Sequence, residues 1–388
     1  MTTAPRVALV TYSTRPRGGV VHTLALAEAL HTARFDVTVV ALGDPDTGFF
    51  RPVAAPTIIV PAPPWADTLD ERVFRSVDAL ADGLTTLTDR FDIFHAQDCI
   101  AARAAARVRD AGARIPVVRT VHHVDDFTTQ ALVDCQRQAI LEPDVVLVVS
   151  RHWRTLLKDE YGVDAGVVYN GVDRLRFGAI SSERRQALRA RVGAEDRFLF
   201  LAVGGIEPRK GSVHLFEALG RLKADVSPSP VLAVVGGHSF QDYAEYRKAA
   251  LDSLPGLGLE LDRDVVLLGT VADDELPAWY GAADALAFPS IKEGWGLAVL
   301  EAMSARLPVV TSDIPVFREY LTDGVDALLV PPGNAGALAT AMRSLVDDAG
   351  LRERLRAAGA RVAGRFTWQA AAARHVDVYD GIGTRAGV

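Results

Sequence analysis

Cysteine is nearly absent: the chain carries only Cys99 and Cys135 in 388 residues. Two thiols make neither a disulfide framework nor a four-ligand zinc site, and they read as buried thiols of a reducing compartment. Lysine is almost as scarce. Of 42 basic residues, five are lysines (Lys158, Lys210, Lys223, Lys248 and Lys292) and the other 37 are arginines, a coding bias that says little about function. Positive charge is not in excess either. The net charge of −7 lacks the basic footprint of a nucleic-acid binder. No uninterrupted apolar run approaches the ~20 residues that cross a bilayer. Met1 to Arg6 lacks the basic region, apolar core and small-residue cleavage site of a signal peptide. These absences predict a cytoplasmic protein, with the inner face of the membrane as the alternative address.

What is present is globular composition, 49% hydrophobic and 23% charged, in a length that suits two domains of about 150–200 residues. Short β-branched runs alternate with helical patterns, the signature of parallel sheets with helices on both faces. The first half predicts strands over Arg6–Thr11, Asp36–Ala41, Thr57–Val60, Ile93–Ala96, Pro116–Val121, Val145–Val149 and Ala165–Tyr169. Helices are predicted over Val20–Thr32 and Asp70–Asp89, the second with Leu69, Val73, Val77, Leu80 and Leu84 on one stripe. The rhythm breaks at the turn Asn170-Gly171-Val172-Asp173 and a charged helix near Ser182–Val192. It resumes with strands at Phe198–Val203, Val231–Val235, Val265–Leu268, Ala285–Phe288, Pro308–Thr311 and Ala327–Val330. The reading is α/β: two Rossmann-like domains, residues 1–172 and 173–367, with strand ends expected to face each other across a cleft.

Four stretches carry polar chemistry. After the strand ending Phe288-Pro289-Ser290 comes Glu293-Gly294-Trp295-Gly296-Leu297, with Glu301 further on. Glycine lets the backbone approach a ligand closely, and the first amides of a helix over Leu297–Ala305 lack partners, which suits phosphate. Carboxylates such as Glu293 and Glu301 suit sugar hydroxyls. An acidic first turn favoured by the helix dipole would explain either glutamate, but not the whole group. At the end of that domain's first strand stands Gly204-Gly205-Ile206-Glu207-Pro208-Arg209-Lys210-Gly211, where Lys210 would neutralise a diphosphate. Alone, Arg209 and Lys210 read as a solvated pair. In the first domain, Arg15-Pro16-Arg17-Gly18-Gly19 precedes a helix with His22 and lacks the G-x-G-x-x-G dinucleotide fingerprint. Finally, His122 and His95 end neighbouring strands and are candidates to reach substrate. Asp44-Pro45-Asp46 reads as a turn rather than a metal site.

Together these residues resemble the retaining GT-B glycosyltransferases of family 4, over nearly the whole chain. The likeness rests on Gly18-Gly19 with His22, His122, Asn170-Gly171-Val172-Asp173, Lys210-Gly211, and Glu293 spaced seven residues before Glu301. It implies a C-terminal segment, residues 368–388, whose helix near Trp368–Tyr379 returns to the first domain. It also implies roles. Glu301 would hold the donor ribose. Glu293 and the amides of Trp295, Gly296 and Leu297 would hold the sugar and diphosphate. Lys210 would stabilise the leaving diphosphate, with Gly204 and Arg209 beside it and Gly18 and Gly19 approaching from the other domain. His122 would contact the sugar near its reacting carbon. His122, Lys210 and Glu293 are therefore the catalytic expectation. The resemblance implies same-face displacement with retention and neither metal nor cofactor. The donor would be a nucleotide-diphosphate sugar, UDP favoured over GDP. The acceptor hydroxyl belongs to an unidentified small molecule, glycan or lipid-linked molecule, with peripheral membrane contact allowed. Many members carry arginine where this chain has Gly205, so one phosphate-facing charge is missing.

Competing readings share the architecture. A nucleotide-sugar epimerase would act on a donor without an acceptor. An NAD-dependent oxidoreductase would need the missing glycine fingerprint, and a two-lobed solute-binding protein would normally be exported. Arg15 and Arg17 would suit an anionic acceptor, or stand solvated in their loop.

Overall fold

The structure, a computed structural model, describes residues 4–237, 241 and 243–386. Met1–Thr3 of the N-terminal stretch and the last two residues of the 368–388 segment lie outside the described residues. The chain divides into two compact units, Met1–Gly171 with Trp368–Val388, and Val172–Thr367.

The first unit runs β1 (Val7–Thr11), α1 (Gly18–Thr32), β2 (Val37–Gly43), β3 (Thr57–Pro61), α2 (Leu69–Thr85), β4 (Ile93–Ala96), α3 (Cys99–Val108), β5 (Val117–Val121), α4 (Gln130–Leu141), β6 (Val145–Val148), α5 (Arg151–Tyr161) and β7 (Gly166–Val167). Its sheet has the order β3-β2-β1-β4-β5-β6-β7, with every pairing parallel. Helices on both faces leave β1 wholly buried, which is why its strand reads Val-Ala-Leu-Val without alternation. Local chemistry sets the helix starts. Thr68 accepts from the Glu71 amide and Asp98 from the Ala101 amide, each satisfying an otherwise orphaned donor.

The second unit runs α6 (Ser182–Ala190), β8 (Leu199–Val203), α7 (Ser212–Asp225), β9 (Val231–Val235), α8 (Ala244–Asp252), β10 (Val265–Gly269), α9 (Leu276–Ala282), β11 (Ala285–Phe288), α10 (Leu297–Ser304), β12 (Val309–Ser312), α11 (Pro315–Arg318), β13 (Leu328–Val330), α12 (Ala335–Asp347) and α13 (Ala349–Ala363). Its parallel sheet has the order β10-β9-β8-β11-β12-β13. The core is aliphatic and aromatic, with Phe200, Phe216, Leu232 and Leu286 at or near zero exposure.

The last helix, α14 (Trp368–Ala386), belongs to the first unit and packs on α1. Trp368, Ala371, Ala372, His375 and Tyr379 are its buried residues, spaced three and four apart so that they form one stripe.

In both sheets the chain order reverses beside the first strand, between β1 and β4 and between β8 and β11. At such a point neighbouring loops diverge to opposite faces and leave a crevice beyond the carboxyl ends of the strands. The residues singled out from the sequence follow those ends. One expectation needs correction. Gly18 and Gly19 are not a loop before the helix but the first two residues of α1, with Arg17 as the N-cap residue.

Candidate active site

In the second unit two loops meet at the reversal point. The first follows β8, where Pro208–Lys210 forms one turn of 3-10 helix and Gly211 opens α7. The second follows β11. The Ile291 amide donates to the Arg209 carbonyl at 2.8 Å, joining the loops through their backbones. Gly211 has φ +68, and a Cβ there would lie 2.3 Å from the Pro289 carbonyl oxygen. Only glycine permits both this left-handed turn and this approach.

The charged groups converge on Glu293. Its Oε1 accepts from the Lys210 ammonium at 2.5 Å and stands 3.6 Å from an Arg209 nitrogen, while Arg209 Nε lies 3.0 Å from Glu207. Arg209 therefore turns toward the same acid as Lys210. Burial alone would raise the Glu293 carboxyl, but Lys210 and Arg209 outweigh it and hold the group ionised below its usual range. Burial likewise pulls Lys210 down, opposed by the charge of Glu293. The Phe288 ring lies 4.6 Å below the ammonium and adds a cation–π contact.

Gly205 shows why arginine has no place in this chain at that position. A Cβ there would lie 2.8 Å from the Gly237 carbonyl oxygen and 2.9 Å from Glu207 Oε1. The Glu207 carboxylate occupies the space, and Arg209 brings positive charge to the same acids from four residues further on.

Beyond Glu293, Gly296 caps α10 in a left-handed conformation, φ +86, pressed on Phe317. The Tyr320 hydroxyl donates to the Trp295 carbonyl at 2.9 Å. These contacts fix the peptide groups that lead into Leu297, the first residue of α10, where the helix amides open. Glu301 lies one turn further along, and its Oε2 accepts from the Tyr280 hydroxyl at 2.7 Å. Burial raises the Glu301 carboxyl, with the Tyr280 bond in opposition. Gly204, at φ +135, packs on the Lys210 side chain.

In the first unit His22 and His122 meet edge to face, centroids 4.5 Å apart, and Trp368 stands 5.3 Å from His22. Gly19 lies against His122, 3.9 Å from where its Cβ would be. Both His22 nitrogens, His122 Nε2 and Asn170 Oδ1 are buried without hydrogen bonds. The Asn170 side chain stands close enough to oppose the lowering of His22. Buried polar atoms ordinarily find partners, so this cluster is where a ligand's hydroxyls would supply them. Two further buried groups share the property: the Gln97 side-chain amide after β4, and Nε and Nη1 of Arg119 on β5.

His95 behaves otherwise. It is fully buried, with Nδ1 at 2.6 Å from the Tyr379 hydroxyl and Nε2 at 2.8 Å from Thr120. It ties α14 to the sheet and has no nitrogen left for substrate. Arg17 donates to the Tyr12 hydroxyl at 2.6 Å, while Arg15 is exposed. Asp44 accepts from the Asp46 amide and the Thr47 hydroxyl, an exposed turn. Among the described residues no three His, Cys, Asp or Glu side chains gather as a metal site requires.

Burial lowers His22 and His95 well below the usual imidazole range, His122 to about 3 and His375 to about 4. All four are neutral in the folded protein at pH 7. The unfolded chain takes up protons below about pH 6.5, so this stability is present above that pH and lost as pH falls. The expected cost at pH 5.5 is on the order of 1 kcal/mol per histidine. A melting temperature several degrees lower at pH 5.5 than at pH 7.5 is the expected result; equal values would mean the imidazoles titrate normally.

Known proteins resemble this chain in sequence and in fold. The family described as glycosyl transferases group 1 matches residues 184–362, and that described as Glycosyltransferase Family 4 matches residues 16–176. A phosphatidyl-myo-inositol mannosyltransferase from Mycobacterium leprae is 31% identical over 394 residues, covering 96% of both chains. The chain belongs to the group 1 glycosyltransferases. This glycosyltransferase is also 31% identical over 287 residues to a D-inositol 3-phosphate glycosyltransferase of Streptomyces bingchenggensis, covering 69% of this chain and 61% of that one. Its fold matches HepE of Anabaena, crystallised with UDP and glucose, at TM-score 0.80 and 21% identity, over 97% of this chain and all of that one. Sucrose-phosphate synthase from Thermosynechococcus elongatus matches at TM-score 0.82 and 20% identity, over 98% and 100%. The glycosyltransferase thus has the GT-B fold. No helix among its described residues is long and apolar enough to cross a membrane.

Sequence reasoning missed the supporting residues of this enzyme. Tyr280, Phe288, Phe317, Tyr320 and Trp368 contact the candidate residues from distant parts of the chain. Their only signal was aromatic character, which core packing explains equally well.

Proposed function

We propose that this enzyme transfers a sugar from a nucleotide-diphosphate sugar to an acceptor hydroxyl with retention of configuration and without a metal ion. UDP-sugars are favoured, with GDP-sugars second. The observation that carries the reading is the Lys210–Glu293 pair at 2.5 Å beside the glycine-led start of α10. The diphosphate would take the backbone amides of Trp295, Gly296 and Leu297, with Gly204 and Arg209 beside it, and Glu301 would accept from the ribose. Negative charge grows on the diphosphate as the sugar leaves, so a preformed ammonium at Lys210 stabilises the transition state more than the ground state. Neutral His122 would hydrogen-bond a sugar hydroxyl through the Nε2 that lacks a partner, with the backbone of Gly18 and Gly19 alongside. The acceptor is a small molecule, a glycan or a lipid-linked sugar. A cytoplasmic site, with peripheral contact at the inner membrane face for a lipid-linked acceptor, agrees with the free thiols of Cys99 and Cys135.

A thermal-shift panel with UDP, GDP, ADP and NAD⁺ tests this directly. A ligand at 100 times its Kd stabilises by about 2.7 kcal/mol. The expected result is a clear upward shift with UDP, or failing that GDP, and none with NAD⁺. A response to NAD⁺ alone would overturn the reading.

A further inference from the structure

The second unit has another open pocket, of about 370 Å³, lined by Arg185, Tyr280, Gly281, Ala283, Ala305, Arg306, Leu307 and Arg356. We propose that this pocket binds a small phosphate monoester, at a site separate from the Lys210–Glu293 loops. Three arginines from separate parts of the chain line it. Arg185 lies on α6, Arg306 two residues beyond α10, and Arg356 on α13. Tyr280 and Gly281 of α9, with Ala283, Ala305 and Leu307, provide the rest of the wall. The volume falls within the ~300–1,000 Å³ of small-molecule sites.

The charge is not balanced within the wall. Asp284 accepts from both Arg185, at 2.7 Å, and Arg189, at 2.9 Å, so one carboxylate answers two guanidinium groups. Arg356 faces only the exposed Glu353, at 3.6 Å. Among the described residues no carboxylate pairs with Arg306. Burial lowers Arg185, and the positive charges of Arg189 and Arg356 push the same way against Asp284. Counting Arg189 beside the wall, four guanidinium groups face two carboxylates, which leaves two positive charges, the number a phosphate monoester dianion neutralises. Guanidinium forks match phosphate oxygens pairwise, and Ala283, Ala305 and Leu307 in the same lining suit the organic part of the ligand.

The pocket wall also includes one side chain that reaches Glu301. Tyr280 lines it and donates its hydroxyl to Glu301. The proposal itself does not depend on what Glu301 binds.

The test uses the full chain and two sources of the same chemistry: sn-glycerol 3-phosphate in titration calorimetry, and phosphatidic acid vesicles in a flotation assay. The variants are the double substitution Arg306→Gln with Arg356→Gln, and Lys210→Met as the control at the other site. Circular dichroism checks folding of each. Arg306 is exposed and Arg356 half-buried, so neither is a core residue. The expected result is that the wild type binds one of the two probes, that the double variant weakens this by roughly tenfold or more, and that Lys210→Met leaves it unchanged. Binding of the soluble probe names a metabolite, and binding of vesicles alone names a lipid headgroup. No binding of either probe by the wild type overturns the proposal, as does undiminished binding by the double variant or loss in Lys210→Met alone.

Discussion

Replacing Lys210 by methionine is expected to lower the rate of nucleoside diphosphate release from the donor by about 10²–10³, the cost of removing one preorganised transition-state donor. The same change acts on stability, and in a pH-dependent way. Glu293 is only 9% exposed and is held ionised by Lys210 and Arg209. A depressed carboxyl contributes stability above its unfolded pKa, lost as pH falls through its folded value. With Lys210 gone, burial dominates and the carboxyl rises instead. The variant is therefore destabilised at neutral pH, by about 3 kcal/mol, the lower end for breaking a buried pair because Arg209 remains. As pH falls into the ordinary carboxylate range the variant's buried carboxyl takes up its proton and the gap narrows, closing only once the depressed Glu293 of the wild type is protonated as well. Melting temperatures of both proteins between pH 4 and 8 measure this. A gap that stays constant with pH would mean Glu293 is not the group that Lys210 holds ionised.

The second large effect is expected from Gly211→Ala, and the chain supplies its own control. Gly211 and Gly258 have nearly the same left-handed backbone, φ +68 and +69. Alanine in that conformation costs roughly 1–2 kcal/mol wherever it occurs. Around Gly258 a Cβ meets nothing within 4 Å, whereas at Gly211 it would lie 2.3 Å from the Pro289 carbonyl oxygen, a backbone atom that cannot swing aside. Gly258→Ala should therefore lower the melting temperature by only a few degrees. Gly211→Ala should cost at least about twice as much, and separate the loops that carry Lys210 and Glu293, abolishing nucleotide binding. Equal destabilisation by the two substitutions would show that the loops can part without loss.

Much of this site was legible because its residues are close in sequence. Glu293, Trp295, Gly296, Leu297 and Glu301 share one loop and one helix, and Gly204, Arg209, Lys210 and Gly211 share another. Glycine at a turn and charge beside it leave a local mark that needs no tertiary information. The strands were legible for a similar reason, since burial on both faces enforces continuous β-branched runs. His95 was not legible. Its strand-end position resembled that of His122, and only the arrival of Tyr379 from 284 residues away makes it structural. The direction of Arg209 was equally hidden, because it depends on Glu207 and Glu293 standing to either side.

By itself, the sequence determined the alternation of strands and helices, the break after Asn170, the two charged glycine loops, and the family to which they belong. These are properties of neighbouring residues, set by backbone freedom and hydrophobic period. Tertiary structure alone decided which groups are neutral and which charged. Burial moves His22, His122 and Glu301 toward their uncharged forms, while Lys210 and Arg209 keep Glu293 ionised. It also decided that Glu207 displaces an arginine at Gly205, and that three arginines from separate parts of the chain line one pocket. Desolvation and Coulomb terms depend on distances between residues far apart in the chain, and no local pattern records those distances.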